Sequence, residues 1–220
     1  MRRLKRNVIA LLMILLIPIV NIVYPILNNA QRGVSYIVTD IDRAIPLVKI
    51  FVIPYLAWYP FIVGTLIYLC FKDKKTYYNV LISLIMGLIS CYIIYFFFQT
   101  GIPRPNVSGD DVLTKILRFV YNTDNPYNCF PSIHVLTSYL MIKGILDCKC
   151  RNAKNMSIVI TSAILIIIST ELIKQHVILD IISAIILSEV LYKIAMPYKE
   201  KVVLLERKLY LLIIKKCRKL

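Results

Sequence analysis

Acidic residues and histidines are scarce in this chain of 220 residues. It has 12 acidic residues against 27 lysines and arginines, a formal net charge of +15, and only two histidines. In a soluble protein such a basic balance would indicate nucleic acid as the partner. Here the basic residues cluster between long apolar runs, which favours anionic lipid and control of membrane topology. A membrane is therefore the expected partner, and nucleic acid is not.

Cysteine is also sparse, and its spacing excludes a disulfide framework. The six cysteines are spread along the chain, and only Cys148 and Cys150 lie close together. This bare C-x-C pair is too weak a pattern to indicate a metal site. Small apolar filler is the favoured interpretation of all six. No cluster of His, Cys and carboxylate residues is evident in the sequence, so neither a metal nor a cofactor is expected.

Apolar residues are what the chain has in excess. Hydrophobic residues make up 59% of it and the mean hydropathy is +0.72, whereas a soluble domain averages about 45–50% apolar residues. The hydrocarbon core of a membrane admits only α-helices or closed β-barrels. The apolar runs are about twice as long as a transmembrane β-strand. The expected fold class is therefore all-α, a polytopic membrane protein with six transmembrane helices. The spans are predicted at roughly 7–27, 51–71, 78–98, 131–146, 156–173 and 176–196.

The charged connections predict how these spans are oriented. Basic residues cluster at 2–6, 72–75, 149–154 and 199–219, and the first cluster precedes an apolar run without a small-residue cleavage site, which favours a retained anchor. The alternate connections are longer and carry Asp40, Asp42, Asp110, Asp111 and Asp124. By the positive-inside rule both termini are expected in the cytoplasm. The amino-acid usage, rich in Ile, Lys, Asn and Tyr, favours a bacterial cell membrane.

The chain divides into a six-span membrane catalytic domain, residues 1–197, and a basic amphipathic cytoplasmic tail, residues 198–220. The tail is expected to lie on the anionic inner leaflet rather than to form a seventh span. Residues 111–121 have apolar side chains at helical spacing and predict a second interfacial helix. No internal repeat, low-complexity linker or second domain is visible, and the sequence gives no indication of oligomeric state.

Three polar blocks at span ends carry the candidate chemistry. His134 opens the fourth predicted span, His176 opens the sixth, and Arg104 closes the third. Asp180 follows His176 by four residues, so the two side chains are expected to share a helix face and to hydrogen-bond. The predicted topology brings all three blocks to the non-cytoplasmic face. Two helix N-termini together with Arg104 and Ser132 would form a site for an anionic group such as phosphate.

The residue types in these blocks indicate phosphoryl transfer. A neutral imidazole oriented by Asp180 makes His176 a competent nucleophile towards phosphorus. His134 can protonate the departing alkoxide and then activate water or an acceptor alcohol. Arg104 and Ser132 would hold the phosphoryl oxygens as charge develops. Such a reaction requires no metal.

These blocks resemble those of the type 2 phosphatidic acid phosphatase superfamily over roughly residues 99–180. The pattern of that superfamily is an Arg-Pro block preceded by a lysine, then Pro-Ser-Gly-His, then Ser-Arg, five residues, His, three residues and Asp. The matching residues are Arg104, Pro105, Pro131, Ser132, His134, Ser169, His176 and Asp180. The resemblance implies a six-helix bundle and a metal-independent enzyme that acts on a lipid phosphate.

Carried over by position, His176 corresponds to the nucleophile, Asp180 to its orienting group and His134 to the general acid and base. The resemblance further implies that Arg104 and Ser132 bind phosphate, with Ser169 at the edge of the same pocket.

The sequence departs from the superfamily pattern at three positions. Phe97 replaces the expected lysine, Thr170 the expected arginine, and Ile133 the expected glycine. Lys174, Lys115 or Arg118 could supply a missing charge, and Thr170 could donate a hydrogen bond. Residues 100–105 and the Gln-His pair look more like the branch that includes inositol phosphorylceramide synthases, which implies transfer of a phosphorylated head group.

Two other functions remain open beside phosphatase or phosphotransferase activity. The missing cations suggest a catalytically silent lipid-binding or scaffolding protein that keeps the fold. A small-solute transporter is disfavoured, because no broken-helix inverted repeat and no mid-span charge relay are visible.

Overall fold

The computed structural model describes residues 2–217, with side chains from residue 7 to residue 212. This part of the chain is 75% helix and 2% strand, so the all-α class is confirmed. Its α-helices are α1 (Arg2–Leu12), α2 (Leu16–Asn21), α3 (Val23–Leu27), α4 (Asp40–Ala44), α5 (Val52–Leu56), α6 (Trp58–Lys72), α7 (Lys74–Phe97), α8 (Val112–Thr123), α9 (Ile133–Asp147), α10 (Ala153–Leu172), α11 (Ile178–Ala195) and α12 (Lys199–Cys217). Single 3-10 turns cover Met13–Leu15, Ala30–Arg32 and Lys49–Phe51. Two short strands, β1 (Ser35–Tyr36) and β2 (Thr100–Gly101), pair in parallel.

Four helical stretches are long and apolar enough to cross a membrane. They are Asn7–Leu27, Lys49–Lys72, Lys74–Phe97 and Ala153–Leu172, and they correspond to the first, second, third and fifth predicted spans. The fourth and sixth predicted spans correspond to α9 and α11. With 15 residues α9 is roughly 22 Å long, and α11 carries Asp180, Glu189 and Lys193 within 18 residues.

The short helix α9 lies at the centre of the bundle, in contact with α6, α7, α10 and α11. Close approach to α6 and α7 requires glycine at two positions. A Cβ on Gly87 would lie 2.6 Å from a methyl group of Leu136, and one on Gly144 would lie 2.7 Å from Val80. The last residues of the irregular segment that leads into α9 are largely buried, at Asn128, Cys129, Pro131 and Ser132.

Prolines interrupt the first two spans. A proline removes one backbone N–H and crowds the carbonyl four residues earlier, and the 3-10 turn Met13–Leu15 contains the carbonyl opposed by Pro18. Pro60 crowds the carbonyl of Leu56. Helix α5 ends at Leu56, and α6 begins at Trp58. The second apolar stretch, Lys49–Lys72, is therefore divided at Ala57 between α5 and α6.

The apolar surface of the first span faces outwards. Ile19, Ile22 and Ile26 are 58%, 63% and 66% exposed. Such a continuous apolar surface is unfavourable in water and natural against lipid chains. Together with the four apolar helices, it supports a membrane protein.

The connections between helices gather at two ends of the bundle. At one end, the backbone N–H of Lys149 donates to Asp73 at 3.1 Å, and α12 is joined to the start of α7 by the ion pairs Lys74–Glu206 and Lys75–Glu200. At the other end, near the close of α7, Ser35 N donates to the Gln99 carbonyl at 2.9 Å. The basic connections are thus separated from the connections that carry the aspartates.

Two further helices agree with the sequence. The predicted interfacial stretch 111–121 forms α8, which is capped by Asp111 through the backbone N–H of Thr114 at 2.9 Å. The predicted tail forms α12, which packs against α1 and α7. Residues 218–220 of the tail lie outside the described part.

Candidate active site

The N-terminal ends of α9 and α11 meet at the centre of the site. The backbone N–H of Ser132, which precedes α9, donates to the carbonyl of Asp180 in α11 at 3.3 Å. This contact places His134, the second residue of α9, beside His176, which lies just before α11. Their ring centroids are 5.7 Å apart. The two histidines, 42 residues apart in sequence, therefore face each other.

His176 is oriented by Asp180. Its Nδ1 lies 3.3 Å from Asp180 Oδ2, and the same oxygen accepts the backbone N–H of Val177 at 3.0 Å. The predicted contact is present, but its geometry differs from a shared helix face, because α11 begins only at Ile178. Asp180 caps the helix and holds the histidine with one oxygen. Its other oxygen, Oδ1, is buried without a hydrogen-bond partner.

His134 is enclosed by aromatic rings. The Tyr55 ring stacks on it at 4.6 Å between centroids, and the Trp58 ring lies 4.2 Å away. Trp58 is itself fixed by a hydrogen bond from its Nε1 to Thr137 Oγ1 at 2.8 Å. Sequence analysis missed both aromatic residues. The sequence signal for them was the pair of prolines that flank Ala57, because the helix break there separates α5, which carries Tyr55, from α6, which carries Trp58.

Arg104 is anchored beside the histidines by Gln175, the residue before His176. Its Nη2 donates to Gln175 Oε1, and its Nη1 donates to the carbonyls of Tyr121 at 3.1 Å and Asp124 at 2.5 Å. The guanidinium also lies over the Tyr121 ring, 4.7 Å from its centroid. Arg104 Nε and Gln175 Nε2 are both buried without an acceptor. A buried donor without a partner costs about 1–3 kcal/mol, so both donors favour an acceptor supplied by a ligand.

Two cavities flank this centre. The larger, about 440 Å³, is lined by both histidines, by Asp124 and by a set of aromatic residues, Tyr24, Tyr55, Trp58, Tyr59, Tyr95 and Phe119. The smaller, about 300 Å³, is lined by Arg43, Arg104 and Lys174 together with two acidic residues, Asp42 and Glu171. The structure thus places the histidines on one cavity and the expected cations on its neighbour. We call these the aromatic cavity and the basic cavity.

Lys174 is held in the basic cavity by neighbouring polar groups. Its Nζ donates to the carbonyl of Asp42 at 2.7 Å and lies 3.5 Å from Glu171 Oε1. The Asp42 carboxylate accepts the backbone N–H of Ile178 at 2.8 Å, which ties α4 to the start of α11. Burial acts to raise the pKa of Asp42, but hydrogen bonds from Thr39 and Ile178 outweigh it and lower that pKa.

The three predicted hydroxyl residues are used locally. Ser132 caps α9, its Oγ accepting the backbone N–H of Val135 at 3.3 Å. The hydroxyls of Ser169 and Thr170 donate to carbonyls of their own helix, and neither residue lines the two cavities in the described part of the chain. The carbonyl of Thr170 accepts the backbone N–H groups of Gln175 and His176 at 2.8 and 3.1 Å. Thr170 therefore positions the turn that carries His176.

Asp124 places its carboxyl group on the wall of the aromatic cavity. Its Oδ1 accepts hydrogen bonds from Tyr24 Oη and Asn28 Nδ2, each at 2.8 Å. Burial raises the pKa of Asp124 and outweighs the opposing effects of these bonds and of nearby Arg104. No ion pair to Asp124 occurs among the described side chains.

The structure also assembles a ligand group that the sequence did not predict. Cys129, His176 and Asp180 are all buried, and one ligand atom from each lies within 4.8 Å of the others. Thiolate, imidazole and carboxylate together suit a soft divalent ion such as Zn²⁺. The expectation that the chain contains no such cluster is therefore wrong for these three residues.

Among the described residues, the other cations considered from the sequence line neither cavity. Phe97, where the resemblance leads us to expect a lysine, is 81% exposed. Lys115 is exposed on α8, and Arg118 donates to the carbonyls of Val107 and Gly109, where it holds the loop before α8.

Comparisons with protein-family models, with curated proteins and with solved structures were made for the whole chain. None of the three finds a match.

Proposed function

We propose that this protein is a membrane lipid-phosphate phosphatase or phosphotransferase that works through a phosphohistidine intermediate. The observation that carries the proposal is the buried His176–Asp180 pair, at 3.3 Å, facing a second histidine whose ring centroid is 5.7 Å away. A nucleophile oriented by a carboxylate and opposed by an acid–base group is the minimum set for covalent phosphoryl transfer.

The roles follow from the nitrogen atoms that remain free. With Nδ1–H of His176 donating to Asp180, the lone pair of Nε2 is available to attack phosphorus. As the N–P bond forms, the bond from phosphorus to the alkoxide oxygen of the leaving group breaks, and His134, which would take up a proton together with the anionic substrate, gives that proton to this oxygen. In the second step His134 accepts a proton from water or an acceptor alcohol, whose oxygen displaces His176. Hydrolysis and transfer differ only in the acceptor.

The groups that would hold the phosphoryl oxygens lie on one side of this pair, towards the basic cavity, and Arg104 reaches that side through Gln175, the residue before His176. Arg104 Nε and Gln175 Nε2 are buried donors without acceptors, and the N-termini of α9 and α11 add positive dipole ends. Lys174 lines the same basic cavity as Arg104. It is our choice for the second charge in place of the superfamily cations that Phe97 and Thr170 replace.

For the membrane arrangement we propose six spans, with α9 and α11 completing the four apolar stretches. Both termini would lie in the cytoplasm and the active site at the opposite face. The clustering of basic residues near the start of α7, around Lys149 and along α12 supports this orientation through the positive-inside rule.

The test is release of phosphate or of a phosphorylated head group by the purified full chain. Substrates would be lipid phosphomonoesters, diphosphates and phosphodiesters with identical acyl chains, each supplied with and without an acceptor alcohol. We expect turnover that is lost in His176→Ala and His134→Ala. Turnover absent from every substrate, although the protein binds lipid, would favour the catalytically silent lipid-binding alternative.

A further inference from the structure

The aromatic cavity combines the faces of aromatic rings with one acidic side chain. Six of its lining residues are aromatic, Asp124 supplies a carboxylate, and neither lysine nor arginine occurs in its described lining. Rings attract cations through their negative faces. A cavity that served only an acyl chain would place this carboxylate against hydrocarbon, which is costly for an ionised group.

The hydrogen bonds that the described residues donate to the Asp124 carboxylate all go to one of its two oxygens. Tyr24 and Asn28 both donate to Oδ1, and Oδ2 accepts no hydrogen bond within the described part of the chain. Arg104, whose charge acts to lower the pKa of Asp124, has given both N–H groups of Nη1 to backbone carbonyls. A carboxylate thus borders the cavity that the histidine pair also lines. Within the described part of the chain, one of its oxygens accepts no hydrogen bond and it forms no ion pair.

We propose that this cavity binds the positively charged amino-alcohol head group of a phospholipid, of the choline class. The inference rests on the proposed function, because the phosphorus joined to that head group would lie next to the histidines. The onium group would contact Tyr55, Trp58 and Tyr59 and face Asp124. The volume, about 440 Å³, lies within the usual range of small-ligand pockets, roughly 300–1,000 Å³. The substrate would then be a phosphodiester whose head group stays on phosphorus when the lipid alcohol departs.

Trp58 provides a binding measurement that does not depend on catalysis. It is the sole tryptophan of the chain and lines the cavity, so its fluorescence reports on this site. Choline would be titrated into the full chain in detergent, with 3,3-dimethyl-1-butanol as the neutral probe of the same shape. Neither probe contains phosphorus, so neither can be turned over.

We expect choline, but not the neutral alcohol, to produce a saturable change in Trp58 fluorescence. Asp124→Asn, which keeps the shape and an acceptor oxygen, should weaken choline binding at least about tenfold, because it removes the opposite charge. Asp110→Asn is the matched control, since Asp110 is exposed and does not line the cavity; it should change nothing. Tyr59→Leu should weaken binding by about threefold while Tyr59→Phe retains it, since only the ring face matters. Tyr59 is 62% exposed, so both variants should fold.

Equal responses to choline and the neutral alcohol, or the same affinity in Asp124→Asn, would overturn the inference. Failure of the proposed function would look different. Choline binding without turnover of any lipid would leave the cavity assignment standing and remove the enzyme. Turnover of phosphatidic acid without choline binding would leave the enzyme standing and remove the cavity assignment. With both intact, phosphatidylcholine should be used at least about tenfold more efficiently than phosphatidylglycerol, and Asp124→Asn should abolish that ratio.

Discussion

The ring of His134 lies 5.7 Å from the ring of His176, centroid to centroid. This separation lies within the range of aromatic ring contacts, roughly 4.5–7 Å, so a phosphoryl group bound at the edges of the two rings would be within reach of both imidazoles. The first histidine is fixed by aromatic stacking and the second by a carboxylate and a helix cap.

Arg104→Ala should lower kcat/KM by about a hundredfold. A charge-assisted hydrogen bond is worth about 1.5–3 kcal/mol, and each tenfold in rate corresponds to about 1.36 kcal/mol. Arg104→Lys should recover only part of the loss, because a point charge cannot replace a planar fork. Steady-state kinetics on the preferred lipid phosphate would measure both.

Arg104 also braces the chain through the carbonyls of Tyr121 and Asp124, so thermal unfolding has to be measured on the same variants. Lys174→Ala is the companion change, and a comparable loss would identify it as the second cation. A nearly silent Arg104→Ala beside a severe Lys115→Ala or Arg118→Ala would show that phosphate binds elsewhere in the loop.

Activity should survive EDTA and fall with vanadate, which mimics five-coordinate phosphorus. The proposed chemistry assigns charge neutralisation to Arg104 and to helix N-termini rather than to a metal. Added Zn²⁺ should inhibit, because Cys129, His176 and Asp180 can bind it at the nucleophile. Cys129→Ala should relieve that inhibition. Loss of activity on chelation with rescue by Mg²⁺ would refute the mechanism.

Cysteine labelling should show that the candidate site faces away from the cytoplasm. In a background without native cysteines, Asn106→Cys should react with an impermeant thiol reagent in intact cells, and Lys75→Cys should not. Both side chains are exposed, and they lie at opposite ends of the bundle, so accessibility alone does not separate them. Permeabilised cells should label both variants. The reverse pattern in intact cells would invert the proposed topology.

The cap of α8 should weaken in acid. The hydrogen bonds from Thr114 lower the pKa of Asp111 from 3.8 to about 2. Because the folded-state pKa is depressed, Asp111 contributes stability above about pH 3.8 and loses it as the pH falls towards about 2. Amide-exchange protection of the first turn of α8 should fall across that window. Asp111→Asn, which still caps but does not titrate, should show no such step.

Local patterns in the sequence predicted much of this molecule. Long apolar runs indicated the four stretches that can cross a membrane, and the spacing of His176 and Asp180 indicated their contact. The aromatic enclosure of His134 was not predictable, because Tyr55 and Trp58 lie about 80 residues earlier and reach it only through the break at Ala57. The same holds for the cluster around Cys129, which depends on an irregular loop that no periodic pattern describes.

The central claim is that His176 becomes phosphorylated during turnover. Rapid quenching of the wild-type chain with a lipid substrate radiolabelled at phosphorus should trap a phosphoenzyme that is labile in acid and stable in base. His134→Ala should still form it when the leaving group is good, because only protonation of the leaving group is lost, whereas His176→Ala should form none. A phosphoenzyme that persists in His176→Ala, or turnover of that variant within tenfold of wild type, would contradict the account.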